Sequence, residues 1–408
     1  MRFLMLIRQT FIAAFLLFPI TVNGENWPQW RGPRGNGVTT NKGLPAKWSE
    51  NRNVLWRVKV PGFGASSPIV WGDRIVVTSA LEGGTKRVTA CYDRRSGKRL
   101  WLREVLDKDP DATSPLTGHA APTPATNGKR IVAYFGNAGV VCYDLQGRPL
   151  WRRRFGEFDT ELGIASSPII DGQRVFLVCD HDGDRFSSFD SFVISLSLGT
   201  GQVVWKKPRS KMGRSWSTPV ISQSGKQPAE LVVAGDGGLK AYDCNKGREN
   251  WHFSGLKIWV APTPVLAKGI LFVTSGRNGP ILAIERRATT KLIWNKPTGG
   301  SYVCSPLVHG SLLYVHTGEG ILSCYEIRSG KQVYRKRLPG KFTASAIADS
   351  QHLYLTNENA TTYVLALGSA GRIVATNQLS GQCLSSPAVA GDAILIRTRQ
   401  WLYCLATK

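Results

Sequence analysis

The run Cys91-Tyr92-Asp93-Arg94-Arg95-Ser96-Gly97-Lys98-Arg99-Leu100-Trp101 decides the fold. It reads as a small residue at the end of a β-strand, an Asp, a polar turn whose Gly suits a positive φ, and a second strand carrying Trp. The same order returns, with small changes of length, at 142–151, 195–205, 241–251, 283–294, 324–334 and, worn down, at 366–375. A hydroxyl-proline pair opens each unit: Ser67-Pro68, Thr123-Pro124, Ser167-Pro168, Thr218-Pro219, Thr263-Pro264, Ser305-Pro306 and Ser386-Pro387, with Ser345-Ala346 as the degenerate member. The second residues of these pairs are 56, 44, 51, 45, 42, 40 and 41 apart. Between the two landmarks lie short apolar and β-branched runs, such as Arg74-Ile75-Val76-Val77-Thr78, separated by Gly, Asp, Asn and Lys turns. No repeat has sustained helical periodicity.

A period near 45 with four short strands per unit predicts an all-β fold, an eight-bladed β-propeller of four-stranded antiparallel blades. The Trp ring of each outer strand is expected to cover the seam between adjacent sheets. The chain ends share the register. Leu402-Tyr403-Cys404-Leu405-Ala406 reaches the small-residue position of an eighth unit and stops before any Trp strand, whereas Asn53-Val54-Leu55-Trp56-Arg57-Val58 is a Trp strand with no preceding unit. The N-terminal strand is therefore expected to complete the last blade and close the ring, leaving no open sheet edge. The propeller spans 49–408, preceded by a Trp- and Gly-rich segment, 25–48, that packs on one of its faces.

The 408 residues carry 52 Lys and Arg against 28 Asp and Glu, a formal charge of +24. With 42% apolar and 20% charged residues the chain is globular and not disordered. Residues 1–24 have Arg2 and Arg8, an uncharged apolar run from Phe11 to Ile20, and Val22-Asn23-Gly24, the layout of a secretory signal peptide. The alternative is a short anchor that is never cut, but ten apolar residues are too few to span a bilayer. No later stretch reaches transmembrane length, so the mature chain is expected to be periplasmic or extracellular, and monomeric. Outside the cytoplasm nucleic acid is not an expected partner. Within the six residues starting at each Trp-strand landmark there are 13 Lys or Arg and one acid, Glu104. Much of the charge thus reads as protection of exposed blade edges against sheet pairing.

The small-x-Asp-x-x-Ser/Thr-Gly-x-x-x-Trp motif, in eight units closed by an N-terminal strand, resembles the pyrroloquinoline quinone (PQQ)-like repeat propellers. These include the quinoprotein alcohol dehydrogenases and the BamB-like envelope assembly scaffolds. Trp27-Pro28-Gln29-Trp30-Arg31-Gly32-Pro33 and Gly35-Asn36-Gly37 look like the leader of exported bacterial members of mostly unassigned function. The resemblance implies a fold more than an activity. For the dehydrogenases it implies PQQ on the propeller axis beside Ca²⁺, with a vicinal Cys-Cys disulfide over the quinone. This chain has no adjacent cysteines, no Cys-x-x-Cys-His, and little length for the insertions that wall the quinone. No cofactor is therefore expected, with PQQ and Ca²⁺ as the alternative. For the scaffolds it implies an envelope protein as partner and a lipidated Cys after the signal peptide, where Gly24-Glu25 stands.

Other chemistries find little support. Asp180, Asp182 and Asp184 stand at the first, third and fifth positions of a calcium-type loop, but the loop lacks the later Gly and the bidentate Glu, with Ser191 in its place. A polar surface loop is the preferred reading. The six histidines show no zinc spacing. Cys91, Cys324 and Cys404 fall at the small-residue position, with Cys142 offset by one, and read as small buried hydrophobes. A disulfide between some other pair, such as Cys304 and Cys383, stays open.

The strand beginning at each hydroxyl-proline pair is expected to be innermost. Counting five back from the second residue of the pair gives Phe63, His119, Gly163, Arg214, Trp259, Ser301, Lys341 and Gln382. Residues two apart on a strand share a face, so this ring, the ring three back with Trp216, and the hydroxyl ring one back are expected to point alike. The uniform hydroxyls read as structural, satisfying backbone groups where inner strands crowd. Phe63, His119, Arg214, Trp216, Trp259, Lys341 and Gln382 are the candidate ligand-binding residues, a basic mouth with aromatic walls. They suit an acidic or carbohydrate-like small molecule or an acidic peptide. The alternative is that the Trp rings merely plug the channel. The reading is an exported, non-catalytic ligand-binding or protein-interaction propeller, with a PQQ-dependent oxidoreductase and a BamB-like scaffold as alternatives.

Overall fold

A unit of about 45 residues supplies four strands but cannot bury either face of its own sheet, so neighbouring units must stack. The computed structural model describes residues 25–157, 160–181, 191–209, 215–223, 228–286 and 289–407. The proposed signal peptide lies outside the described residues. The described chain forms eight four-stranded antiparallel sheets, with helical geometry confined to the short 3₁₀ turns Glu82–Gly84 and Gly136–Ala138. Blade 1 runs from the axis outward as Ile69–Trp71, Arg74–Leu81, Lys86–Asp93 and Arg99–Leu106. Blades 2 to 7 repeat this order over 125–153, 169–208, 220–254, 265–296, 307–337 and 347–378.

Blade 8 takes three strands from the C-terminus, Ala388–Ala390, Ala393–Arg397 and Trp401–Leu405, and its fourth, Val54–Lys59, from the N-terminus. That closing pair is antiparallel, with Val54 opposite Leu405 and Lys59 opposite Trp401. Arg397 fastens the same seam from inside. Its guanidinium is buried and donates to the Ser66 and Thr78 carbonyls at 3.0 and 2.7 Å and to the Ser66 and Ser79 hydroxyls at 2.6 and 2.8 Å, all on the blade 1 side. Burial lowers its pKa to about 10.

The outer motif works as a lock between blades. The small residue pairs across strands with the landmark: Cys91 with Trp101, Cys142 with Trp151, Cys324 with Tyr334 and Cys404 with Trp56; in the worn-down unit the partner of Ala375 is Val364, two residues before the expected Ala366. Cys142 is thus in register with its sister cysteines, and the shorter spacing to Trp151 is absorbed in the turn. A bulge follows the pair in each blade, adding local twist where sheets pack at an angle. Most of these Trp rings then reach forward to the next turn, whereas Trp251 donates instead to the Glu230 carboxylate of its own blade at 3.0 Å. Trp101, Trp151 and Trp205 donate through Nε1 to the carbonyls of Leu145, Leu198 and Cys244 at 3.0–3.1 Å. The ring lies flat against the next motif Gly, where a Cβ on Gly147, Gly201 or Gly247 would come within 2.6 Å of it. The motif Gly is therefore required twice, for positive φ and for contact with the preceding Trp.

The basic outer strands do more than protect edges. Arg103 and Arg153 donate through Nε to the carbonyls of Gly147 and Gly201 in the next turn, at 2.7 and 3.0 Å. All eight cysteines are free and buried. Cys304 and Cys383 each direct their thiol at a carbonyl, Phe342 O at 3.4 Å and Arg397 O at 3.3 Å.

Candidate functional site

The inner strands converge on an axial cavity of about 130 Å³. Its wall takes one side chain from each blade, always three residues before the second residue of the hydroxyl-proline pair. Blades 1, 2, 3 and 5 give Ala65, Ala121, Ala165 and Ala261, and blades 4, 6, 7 and 8 give Trp216, Val303, Thr343 and Leu384. The four alanines leave the space that the larger four narrow. Trp216 is held in place by its Nε1, which donates to the Gly163 carbonyl at 2.8 Å.

One level along, the hydroxyl ring forms a belt. The Ser67 N–H donates to Thr123 Oγ1, Thr123 to Ser167, Ser167 to Thr218, Thr263 to Ser305, Ser305 to Ser345, Ser345 to Ser386, and Ser386 back to Ser67, all at 2.8–3.0 Å. These bonds satisfy backbone donors that crowding at the axis would otherwise orphan. Between Thr218 and Thr263 the belt is interrupted, and there Thr263 Oγ1 accepts the Trp30 indole N–H at 2.9 Å.

Trp30 closes this end of the cavity. Trp27 anchors its segment by pairing with Val70 of blade 1. Arg31, left-handed at φ 60° and buried, donates to the carbonyls of Pro306 at 2.7 Å and Asn36 at 2.9 Å. Burial lowers its pKa to about 9. Further along, the Trp48 ring stacks on Tyr354 and the Trp48 backbone N–H donates to Asn377 Oδ1 at 2.9 Å.

At the opposite end Ser114, Leu116, Thr117, Leu162 and Tyr302 complete the wall, and Leu116 is 39% exposed, so the cavity reaches the surface there. A buried ionic cluster sets the 107–119 loop. Arg87 reaches Asp107 at 2.8 Å, Asp111 at 2.7 Å and the His119 carbonyl at 2.8 Å. Burial alone would raise the Asp111 carboxyl, but bonds from His119 and Arg87 outweigh it and hold it below the usual range.

Of the residues singled out from sequence, Trp216 lines the cavity. Phe63, His119, Trp259, Lys341 and Gln382 lie outside its wall, and Arg214 lies outside the described residues. Phe63 is covered by the Arg399 guanidinium, 4.6 Å from its ring, and the Gln382 carbonyl accepts the Arg399 N–H at 2.7 Å. The His119 ring packs over Gly84, its Nδ1 3.9 Å from Asp111. Lys341 is exposed. The inner strands are only two or three residues long and begin after the pair, and five residues back the chain follows its own contacts, as where Phe63 pairs with Ala80 of the second strand. At Trp259 the backbone is left-handed, φ 66°. Asp180 is buried against Arg209 at 2.9 Å, and Asp182 and Asp184 lie outside the described residues.

Two residues escaped the sequence reading. Tyr302 stands four before Pro306, off the counted rings, and Arg277 comes from the turn between Ile270–Thr274 and Ile281–Arg286. The Arg277 guanidinium lies 5.3 Å from the Tyr302 ring and 5.9 Å from the Trp259 ring, and the two rings are 5.7 Å apart.

Comparisons with known proteins agree on the architecture. A protein 23% identical over 290 residues, covering 67% of this chain and 69% of its own length, is the outer membrane protein assembly factor BamB of Bordetella pertussis. A polyvinylalcohol dehydrogenase of a Pseudomonas species is 24% identical over 269 residues, 61% of this chain but only 36% of the dehydrogenase. The crystal structure of the quinohemoprotein alcohol dehydrogenase from Comamonas testosteroni superposes with a TM-score of 0.72 at 10% identity, over 94% of this chain and 81% of that one, a likeness of fold. The pattern of the family described as outer membrane protein assembly factor BamB matches residues 84–335 and 235–394, most of the ring built above, and the chain belongs to that family of PQQ-like repeat propellers.

Proposed function

We propose that this protein is an exported, non-catalytic binding propeller whose axial cavity receives a small ligand. The observation that carries the reading is the chemistry of the wall. Among the described residues that line the cavity, every side chain is an aliphatic, an aromatic or a hydroxyl. Such a wall encloses and orients a ligand but provides no carboxylate, imidazole or amine for general acid–base work.

The residues present do not fit PQQ with Ca²⁺. The quinone is a tricarboxylate, whereas the described wall has no cation, the Arg277 guanidinium beyond it at Tyr302 could meet one carboxylate, and no wall carboxylate is present to hold calcium. About 130 Å³ is also well below the roughly 300 Å³ at which cofactor pockets begin. The test adds PQQ and Ca²⁺ to the purified protein and follows absorbance, melting temperature and dye-linked oxidation of alcohols. No saturable change is expected, and turnover would overturn the reading.

A second reading, a scaffold in envelope assembly, is favoured by the family match and by the BamB relative. Pull-down from an envelope extract tests it. Retention of a defined outer-membrane assembly component supports the scaffold, and an empty result counts against it.

A further inference from the structure

We propose that the open end of the axial cavity is a two-part site for an arene carboxylate, the ring entering the cavity and the carboxylate meeting Arg277. The inference deepens the binding role proposed above and rests on it.

Size and wall chemistry select the ring. A cavity of roughly 150 Å³ is large enough for benzene, and this one, of about 130 Å³, has an apolar girdle of Ala65, Ala121, Ala165, Ala261, Val303 and Leu384 between the hydroxyls of its floor and mouth. Each belt hydroxyl at its floor accepts one backbone or indole N–H, which fixes where the oxygens of Thr123, Ser167, Thr218 and Thr263 stand. Among the described wall residues no amide or carboxylate is present to read a carbohydrate. The body of the ligand is therefore apolar and flat.

Arg277 selects the charge. Its guanidinium is exposed, forms no ion pair among the described residues, and stacks over Tyr302, which is itself part of the cavity wall. Cation–π contact with Tyr302 and Trp259 keeps the guanidinium beside the cavity mouth while its exposed N–H groups remain available to a carboxylate. Trp259 is retained in a left-handed conformation that bulky residues rarely adopt, its N–H held by Asp236 Oδ1 at 2.7 Å. Such strain persists where surrounding contacts over-determine it and concentrates at ligand-binding positions. The chain's formal charge of +24 adds a general attraction for anions.

Isothermal titration with benzoate, toluene and acetate, on the wild type and on Arg277→Gln, tests the proposal. Arg277 is exposed, so the variant is expected to fold, and circular dichroism verifies it. Benzoate is expected to bind the wild type at least tenfold more tightly than toluene and far more tightly than acetate. Arg277→Gln should weaken benzoate about tenfold and leave toluene unchanged. If toluene and benzoate bind the wild type equally, or the variant leaves their ratio unaltered, the role of Arg277 is overturned while the cavity reading stands. If neither binds at millimolar concentration, the cavity reading falls with it.

Discussion

Replacing Gly247 by Ala separates the two demands made on the motif glycine. Gly247 has φ 67°, and a Cβ there would lie 2.6 Å from Trp205 Cδ2. Gly310 has nearly the same φ, 62°, with nothing within 4 Å of its virtual Cβ. Both substitutions incur the left-handed penalty of an L-residue, about 1–2 kcal/mol. Only Gly247→Ala must also push the indole back by about 1 Å to reach ordinary contact. That shift breaks the 3.0 Å bond from Trp205 to the Cys244 carbonyl, worth about 1 kcal/mol, and overpacks the seam by about 1–3 kcal/mol. Gly247→Ala should therefore lose about 3–6 kcal/mol and Gly310→Ala about 1–2 kcal/mol, read from urea denaturation followed by circular dichroism. In a Trp205→Leu background the extra loss at Gly247 should vanish, since the ring it collides with is gone. Equal losses in the wild-type background, or an extra loss that survives Trp205→Leu, would refute the interblade lock.

Three further outcomes are expected. Burial raises the pKa of all eight thiols to about 12, so Ellman's reagent at pH 8 should find almost no reactive thiol in the native protein and eight after denaturation; fewer than eight would reveal a disulfide. Arg397→Met should cost about 3–5 kcal/mol, because it strands buried acceptors at the ring-closing seam; a loss below about 1 kcal/mol in urea denaturation would remove Arg397 from the closure. His316 is buried with its pKa lowered to about 4, chiefly by desolvation. The folded state then takes up its proton later than the unfolded chain, so stability present above pH 6.5 is lost as pH falls towards 4, by about 3 kcal/mol. His316→Gln should flatten that part of the pH–stability curve, and an unchanged slope would assign it to other groups.

The architecture was legible because it is written eight times. A single Trp strand is weak evidence, but seven landmarks and eight hydroxyl positions in one register leave few alternatives, and the unmatched Trp56 strand identified the closing element. The hydroxyl belt was legible for a similar reason, since uniformity at Ser67, Thr123 and their sisters reflects one repeated backbone need. The mouth was harder to read. Alternation along a strand placed Phe63, Trp259 and Lys341 with the channel wall, yet the inner strands begin only after the pair, and the backbone before them turns as its own contacts dictate. Arg277 meets Tyr302 from a hairpin turn outside the inner strand, so no count along the repeat finds it. Trp30 stands in a leader without repeats, and nothing local distinguishes it from Trp27, which pairs with blade 1 instead.

The most direct measurement of the central claim is a crystal structure of the protein equilibrated with 4-bromobenzoate, located by the anomalous signal of bromine. The account predicts one bromine site inside the ring formed by Ala65, Ala121, Ala165, Trp216, Ala261, Val303, Thr343 and Leu384, with the carboxylate directed to Arg277. A bromine site elsewhere on the propeller, with the axial cavity empty at saturating ligand, would contradict it.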